Sequence, residues 1–179
     1  MKQIKYPDAT FEKTHAVWQL SGRMRGRYLD RAIVIEGIID SILAELLCYE
    51  EQEQYLLRSL LTRVRMQDKI QFLVAALDKL LPDKSSLCCK LKKEAEKMRT
   101  FRNKLAHSLL DVDMKWLEGR PQDQIRLISF PFPKGDRKSE SLTEAGLSKK
   151  IWRSDRLLYK LFEIQNAVHA RAQERLEKR

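Results

Sequence analysis

The stretch Arg27–Glu50 reads RYLDRAIVIEGIIDSILAELLCYE, and the spacing of its apolar residues decides the fold class. The row Ile35, Ile39, Ile42 and Leu46 keeps the four-three-four step of a helix side and is wholly apolar. The neighbouring row, Leu29, Ile33, Glu36, Asp40, Leu43 and Leu47, has the same step but is broken by two carboxylates. A helix with two adjoining apolar rows is largely enclosed, so this segment, from near Gly26 to about Tyr49, is expected at the centre of an all-α core with Glu36 and Asp40 at the edge of a buried face.

Working downstream, EEQEQ leads into a helix expected around Gln54–Arg63. MQDKIQFLVAALDKLL follows, with Ile70, Leu73, Val74, Leu77, Leu80 and Leu81 at helical spacing, and PDKSS ends it. The next helix is expected from about Ser86 to Leu110. Its inner row is Leu91, Ala95, Met98, Arg102, Leu105 and Leu109, interrupted by Arg102. Its outer side is strongly basic, with seven Lys or Arg against two Glu between Lys90 and Lys104. Helical periodicity then fails. DQIRLISFPFPKGD has the β-branched and aromatic content of a strand, Trp116–Arg120 is a candidate first arm, and GDRKSES reads as a turn or loop. SLTEAG can open a last helix with Ile151, Leu158, Leu161, Phe162, Ile164 and Val168 facing inward. The expectation is one helical domain over 1–179. It is a bundle of four or five helices, with core helices at about 26–110 and 146–176 and a small β-like insertion at about 112–145.

Composition narrows the function. A chain of 179 residues that is 43% hydrophobic can bury a core. No apolar run reaches about 20 residues, and MKQIKYPDATFEK has charges where a signal peptide needs an apolar stretch, so a cytoplasmic protein with no membrane partner is expected. The net charge of +10 attracts polyanions, nucleic acid above all. Cys48, Cys88 and Cys89 form no disulfide framework and have no metal-ligand spacing with His15, His107 or His169. Cys88 and Cys89 fall near a helix N-terminus, where a thiol ionises more readily, though plain structural thiols are the simpler reading. Phosphate loops, HExxH, CxxC and nucleophile-elbow patterns are all missing from the sequence.

The remaining candidate is FRNKLAHSLLD, Phe101–Asp111. An unpaired guanidinium on a buried face is costly, so Arg102 needs an anionic partner or access to a cleft. Asn103 and His107 are four apart and stack on one side of the helix, with His107 about 140° around the axis from Arg102. Glu36 and Asp40 are candidate supporting groups, as partners of Arg102 or an acceptor orienting His107. Two readings stay open on the residues alone. The three can line a groove and act on a substrate, or Arg102 can be quenched by Glu36 or Asp40 while His107 is satisfied by a backbone carbonyl. Arg23, Arg25, Arg27 and Arg31, with Lys97, Arg99 and Lys104, are suited to RNA phosphates or to a solvated basic surface. Trp18, Trp116 and Trp152 suit either base stacking or packing.

FRNKLAH, after the IEGIIDSIL and MQDKIQFLVAAL helices, resembles the HEPN superfamily, whose signature is Arg, often followed by Asn or Asp, then four to six residues in all before His. The resemblance covers roughly Arg27–Leu110. It implies a metal-independent endoribonuclease needing no cofactor, acting as a homodimer in which two motifs meet, in toxin, antiviral or RNA-processing settings. A cognate antitoxin or regulatory protein is then a candidate partner. Carried over by position, Arg102 and His107 would be catalytic and Asn103 supporting. Members that pair with a nucleotidyltransferase antitoxin often have Tyr two residues after the His; Leu109 stands there, which leaves no tyrosine for modification at that place. In such a site the imidazole would move a proton at the ribose 2′-hydroxyl or the leaving 5′-oxygen, and the guanidinium would hold the scissile phosphate, giving 2′,3′-cyclic phosphate ends. The alternative is a non-catalytic helical module that binds RNA or a protein and keeps Arg102 and His107 as a structural pair. A DNA-binding regulator ranks last, because no helix-turn-helix with a short Gly-containing turn is evident.

Overall fold

A computed structural model describes residues 8–48, 50–80, 82, 85–129 and 138–177, with side chains for all but 8–10, 85–89, 114 and 175–177. The fold is mostly α-helical with a small antiparallel sheet before the last helix. The elements run α1 (Asp8–Leu47), α2 (Glu51–Leu61), α3 (Met66–Leu80), α4 (Ser85–His107), β1 (Leu109–Leu110), α5 (Met114–Gly119), β2 (Gln124–Ser129), β3 (Lys138–Thr143) and α6 (Glu144–Glu177). None of the described helices is long and apolar enough to cross a membrane.

The chain forms two compact units whose boundaries fall inside continuous helices. One comprises the chain up to Leu29 with Arg102–Ile151; the other comprises Asp30–Phe101 with the chain from Trp152. In the first, Val17, Leu20, Met24 and Tyr28 of α1 are buried at helical spacing. The sheet has the order β1-β2-β3, with Leu110 opposite Leu127 and Ile125 opposite Leu142. Strand alternation buries Ile125 and Leu127 of β2. In the second unit the apolar row of α1 behaves as its spacing requires: Ile35, Ile39 and Ile42 are buried, as are Ile70, Leu73 and Leu77 of α3.

Several boundaries differ from the sequence reading. The first helix begins at Asp8, not near Gly26, and runs 40 residues. Gly22 and Gly26 cost about 1 kcal/mol each inside a helix. Burying Val17, Leu20, Met24 and Tyr28 stabilises by roughly 1.5–3 kcal/mol for each large apolar side chain, so burial wins. Ile33 and Leu47, assigned to the inner row, are exposed, as are Leu109 and Phe162. Trp116 lies in a helix and not in a strand, because Asp113 accepts hydrogen bonds from the backbone N–H groups of Lys115 and Trp116 and starts α5. The first arm of the sheet is instead Leu109–Leu110, and Lys138–Thr143, read as turn and helix start, is its third strand. The segment FPFPKGDR, 130–137, lies outside the described residues. Thr143 opens α6 by accepting from the Gly146 N–H at 3.0 Å, and a Cβ at Gly146 would come within 3.1 Å of that hydroxyl.

Candidate functional site

The motif sits on the last turn and a half of α4, where the helix meets the sheet. His107 is the final helical residue. Ser108 N–H still closes on the Lys104 carbonyl at 3.0 Å, but the Ser108 carbonyl accepts from Arg25 Nη2 at 2.8 Å. The next two residues then pair with β2. Helix propensity would have carried α4 to Leu110; two tertiary partners for the backbone stop it at His107. Beyond the strand, Asp111 N–H donates to the Arg126 carbonyl at 2.8 Å, and Arg126 Nε donates to Asp111 Oδ2 at 2.6 Å. His107 is thus mounted on a helix on one side and a strand on the other, the rigid support that positioned chemistry needs.

At the site itself, Arg102 is half-buried and its Nη1 donates to Asn103 Oδ1 at 3.0 Å. Among the described residues, no carboxylate reaches that guanidinium. His107 is exposed, and among the described residues no hydrogen-bond partner or carboxylate holds its ring. Asn103 Oδ1 thus holds the Arg102 guanidinium, and the His107 imidazole is open to solvent.

Glu36 and Asp40 have a different partner from the one expected. Lys69 of α3 donates to Glu36 Oε1 at 2.9 Å and to Asp40 Oδ2 at 2.8 Å, and its side chain is 0% exposed. The carboxylates are therefore engaged inside the second unit and supply no described contact to Arg102 or His107. Burial pushes the Asp40 carboxyl above its ordinary range, while the hydrogen bond and charge of Lys69 pull it back. A signal for Lys69 was present in the sequence: it precedes Leu73 and Leu77 by four and eight residues, which places a cation on the core face of α3.

The basic residues divide by role. Arg23 and Arg27 are exposed on α1, Arg25 turns to the Ser108 carbonyl, and Arg31 pairs with Asp155 at 2.7 Å. Two residues apart on a helix is about 200° of rotation, so the run could never present all four on one side. Burial lowers the Arg25 pKa from its ordinary value. On α4, Lys97 is exposed, Arg99 is half-buried with a buried Nε that has no hydrogen-bond partner among the described residues, and Lys104 forms an ion pair with Glu140 of β3. Burial, followed by the nearby charge of Lys150, lowers the Lys104 pKa. Glu140 and Lys150 gave no sign in the sequence, because both are far from Lys104 along the chain and no local spacing relates them to it.

Of the other candidates, Cys48 has a thiol raised above its usual value by burial and by Glu53, which disfavours the reactive thiolate. Cys88 and Cys89 lie outside the residues whose side chains are described. His15 and His169 are exposed, the first stacked on Phe11 and the second beside Gln173. Trp116 is covered by Arg126 at 5.0 Å and Arg120 at 6.0 Å, whereas Trp18 and Trp152 are exposed. No protein-family model, no curated protein and no solved structure matches the chain.

Proposed function

We propose that the chain is a metal-independent endoribonuclease of HEPN type that works as a homodimer. The observation that carries this reading is the state of the motif. Among the described residues no carboxylate reaches Arg102, whose Nη1 donates to Asn103 Oδ1, and His107 stands exposed at the end of α4. In this reading Arg102 binds the scissile phosphate and stabilises charge on its oxygens, with Asn103 holding the guanidinium plane. His107 removes the proton of the ribose 2′-hydroxyl or delivers one to the departing 5′-oxygen. One chain supplies a single histidine at this place, so two chains meeting at their α4 ends divide the acid and base roles. A toxin or antiviral effector, restrained by a cognate antitoxin or regulatory protein, is the setting proposed for such an activity.

The test is incubation of the purified protein with mixed RNA in EDTA, reading fragments and 3′ ends. Cleavage to 2′,3′-cyclic phosphate ends is expected. Arg102→Ala should lower the rate by roughly 10²–10³-fold, and His107→Ala by roughly 10²–10⁴-fold. Neither side chain is part of a buried core, so melting temperatures should barely move. Intact RNA with wild-type protein, or equal cleavage by His107→Ala, would sink the proposal.

A further inference from the structure

The exposed side of α6 carries two aromatic rings and two arginines that the motif does not use. Trp152 and Tyr159 are 58% and 71% exposed. Arg156 lies over the Trp152 ring with its guanidinium carbon 5.0 Å from the centroid. By helical geometry Trp152, Arg156 and Tyr159 fall within about 60° of one another around the axis, and the two rings are separated by about 10 Å along it. Arg153 is exposed on the adjoining row.

The charges around this stripe decide what it attracts. Its acidic neighbours are neutralised: Asp155 pairs with Arg31 at 2.7 Å, and Glu94 of α4 takes Lys160 at 2.8 Å. Arg153 and Arg156 meet no carboxylate among the described residues. Exposed Glu163, one turn beyond Tyr159, marks where the positive stretch ends. A second exposed apolar row, Tyr55, Leu56 and Leu60 on α2, follows Glu51 and Glu53 and lacks this character. Aromatic faces interleaved with cations that meet no carboxylate suit a chain that combines a polyanionic backbone with flat bases, and the net charge of +10 favours that polyanion.

We infer that the Trp152–Tyr159 face of α6 is a stacking platform for single-stranded nucleic acid, with Trp152 and Tyr159 each taking one base and Arg153 and Arg156 meeting the phosphates. Arg156 stacks on one side of the Trp152 indole and leaves the other to a base. The platform needs no cleavage chemistry, so it stands or falls separately from the ribonuclease proposal.

The experiment is fluorescence anisotropy of a labelled deoxythymidine oligonucleotide, which lacks the 2′-hydroxyl and reports binding alone, against the full-length chain over a salt series. Trp152→Ala and Tyr159→Ala should each weaken binding by roughly ten-fold or more at fixed salt. Trp152→Phe should keep most of the affinity, and Arg156→Ala should reduce the salt slope by about one phosphate contact. Wild-type affinity in both alanine variants overturns the platform, as does failure of the wild type to bind. Loss of self-association without loss of oligonucleotide binding also overturns it and assigns the face to a second copy of the chain.

Discussion

Lys69 shows how one residue redirects the chemistry of others. A lysine ammonium with 0% exposure is costly unless it is paired, and the nearby acceptors are the Glu36 and Asp40 carboxylates. Replacing Lys69 with Met strands two carboxylates and should cost about 3–5 kcal/mol near pH 7 by denaturant unfolding. The sign of the pH effect follows from Asp40, whose folded pKa is already raised. Between the ordinary carboxylate value and the raised one, the folded state keeps a proton that the unfolded state has lost, so stability falls as pH rises through that window. Without Lys69 nothing pulls the value back, so the Lys69→Met deficit should shrink as pH is lowered toward about 5. An equal deficit at both pH values would show that the carboxylates are not stranded. Asp40→Asn, which keeps an oxygen near Lys69 and leaves Glu36 in place, should be the milder change.

At the level of elements, the junction of α4 with the sheet converts a helical sequence into a mounted site. Arg25 from α1 fixes the Ser108 carbonyl, β2 pairs with the residues after it, and β3 brings Glu140 to Lys104. Lys104 stands one turn before His107 at the helix C-terminus, where a cation is favoured by the helix dipole. Glu140 is half-exposed, so its pairing with Lys104 adds little stability but places a negative charge beside a candidate phosphate contact. Glu140→Gln should strengthen polyanion binding by roughly two- to five-fold at low salt, with the gain fading as salt rises. Unchanged affinity at low salt would mean that Lys104 does not meet the polyanion.

For the whole molecule, the net charge of +10 predicts binding that weakens steeply with salt, and the proposed pairing of two motifs predicts a dosage effect. Adding His107→Ala protein to wild type should lower cleavage per wild-type chain, since mixed dimers lack one of the two imidazoles. Unchanged cleavage per wild-type chain would show that each chain carries a complete site. Apolar spacing determined the helical class and the buried rows Ile35–Ile39–Ile42 and Leu91–Ala95–Met98, β-branched content marked the strand at Gln124–Ser129, and short sequence separation put Arg102, Asn103 and His107 on one helix. These are local properties: periodicity is written into neighbouring residues and needs no partner to be read. Tertiary structure alone decided that α1 extends to Asp8, that α4 stops at His107, and that Glu36 and Asp40 belong to Lys69. Each depends on a hydrogen bond, ion pair or buried contact between residues distant in sequence, and no spacing rule specifies which of several chemically equivalent partners the folded chain brings within reach.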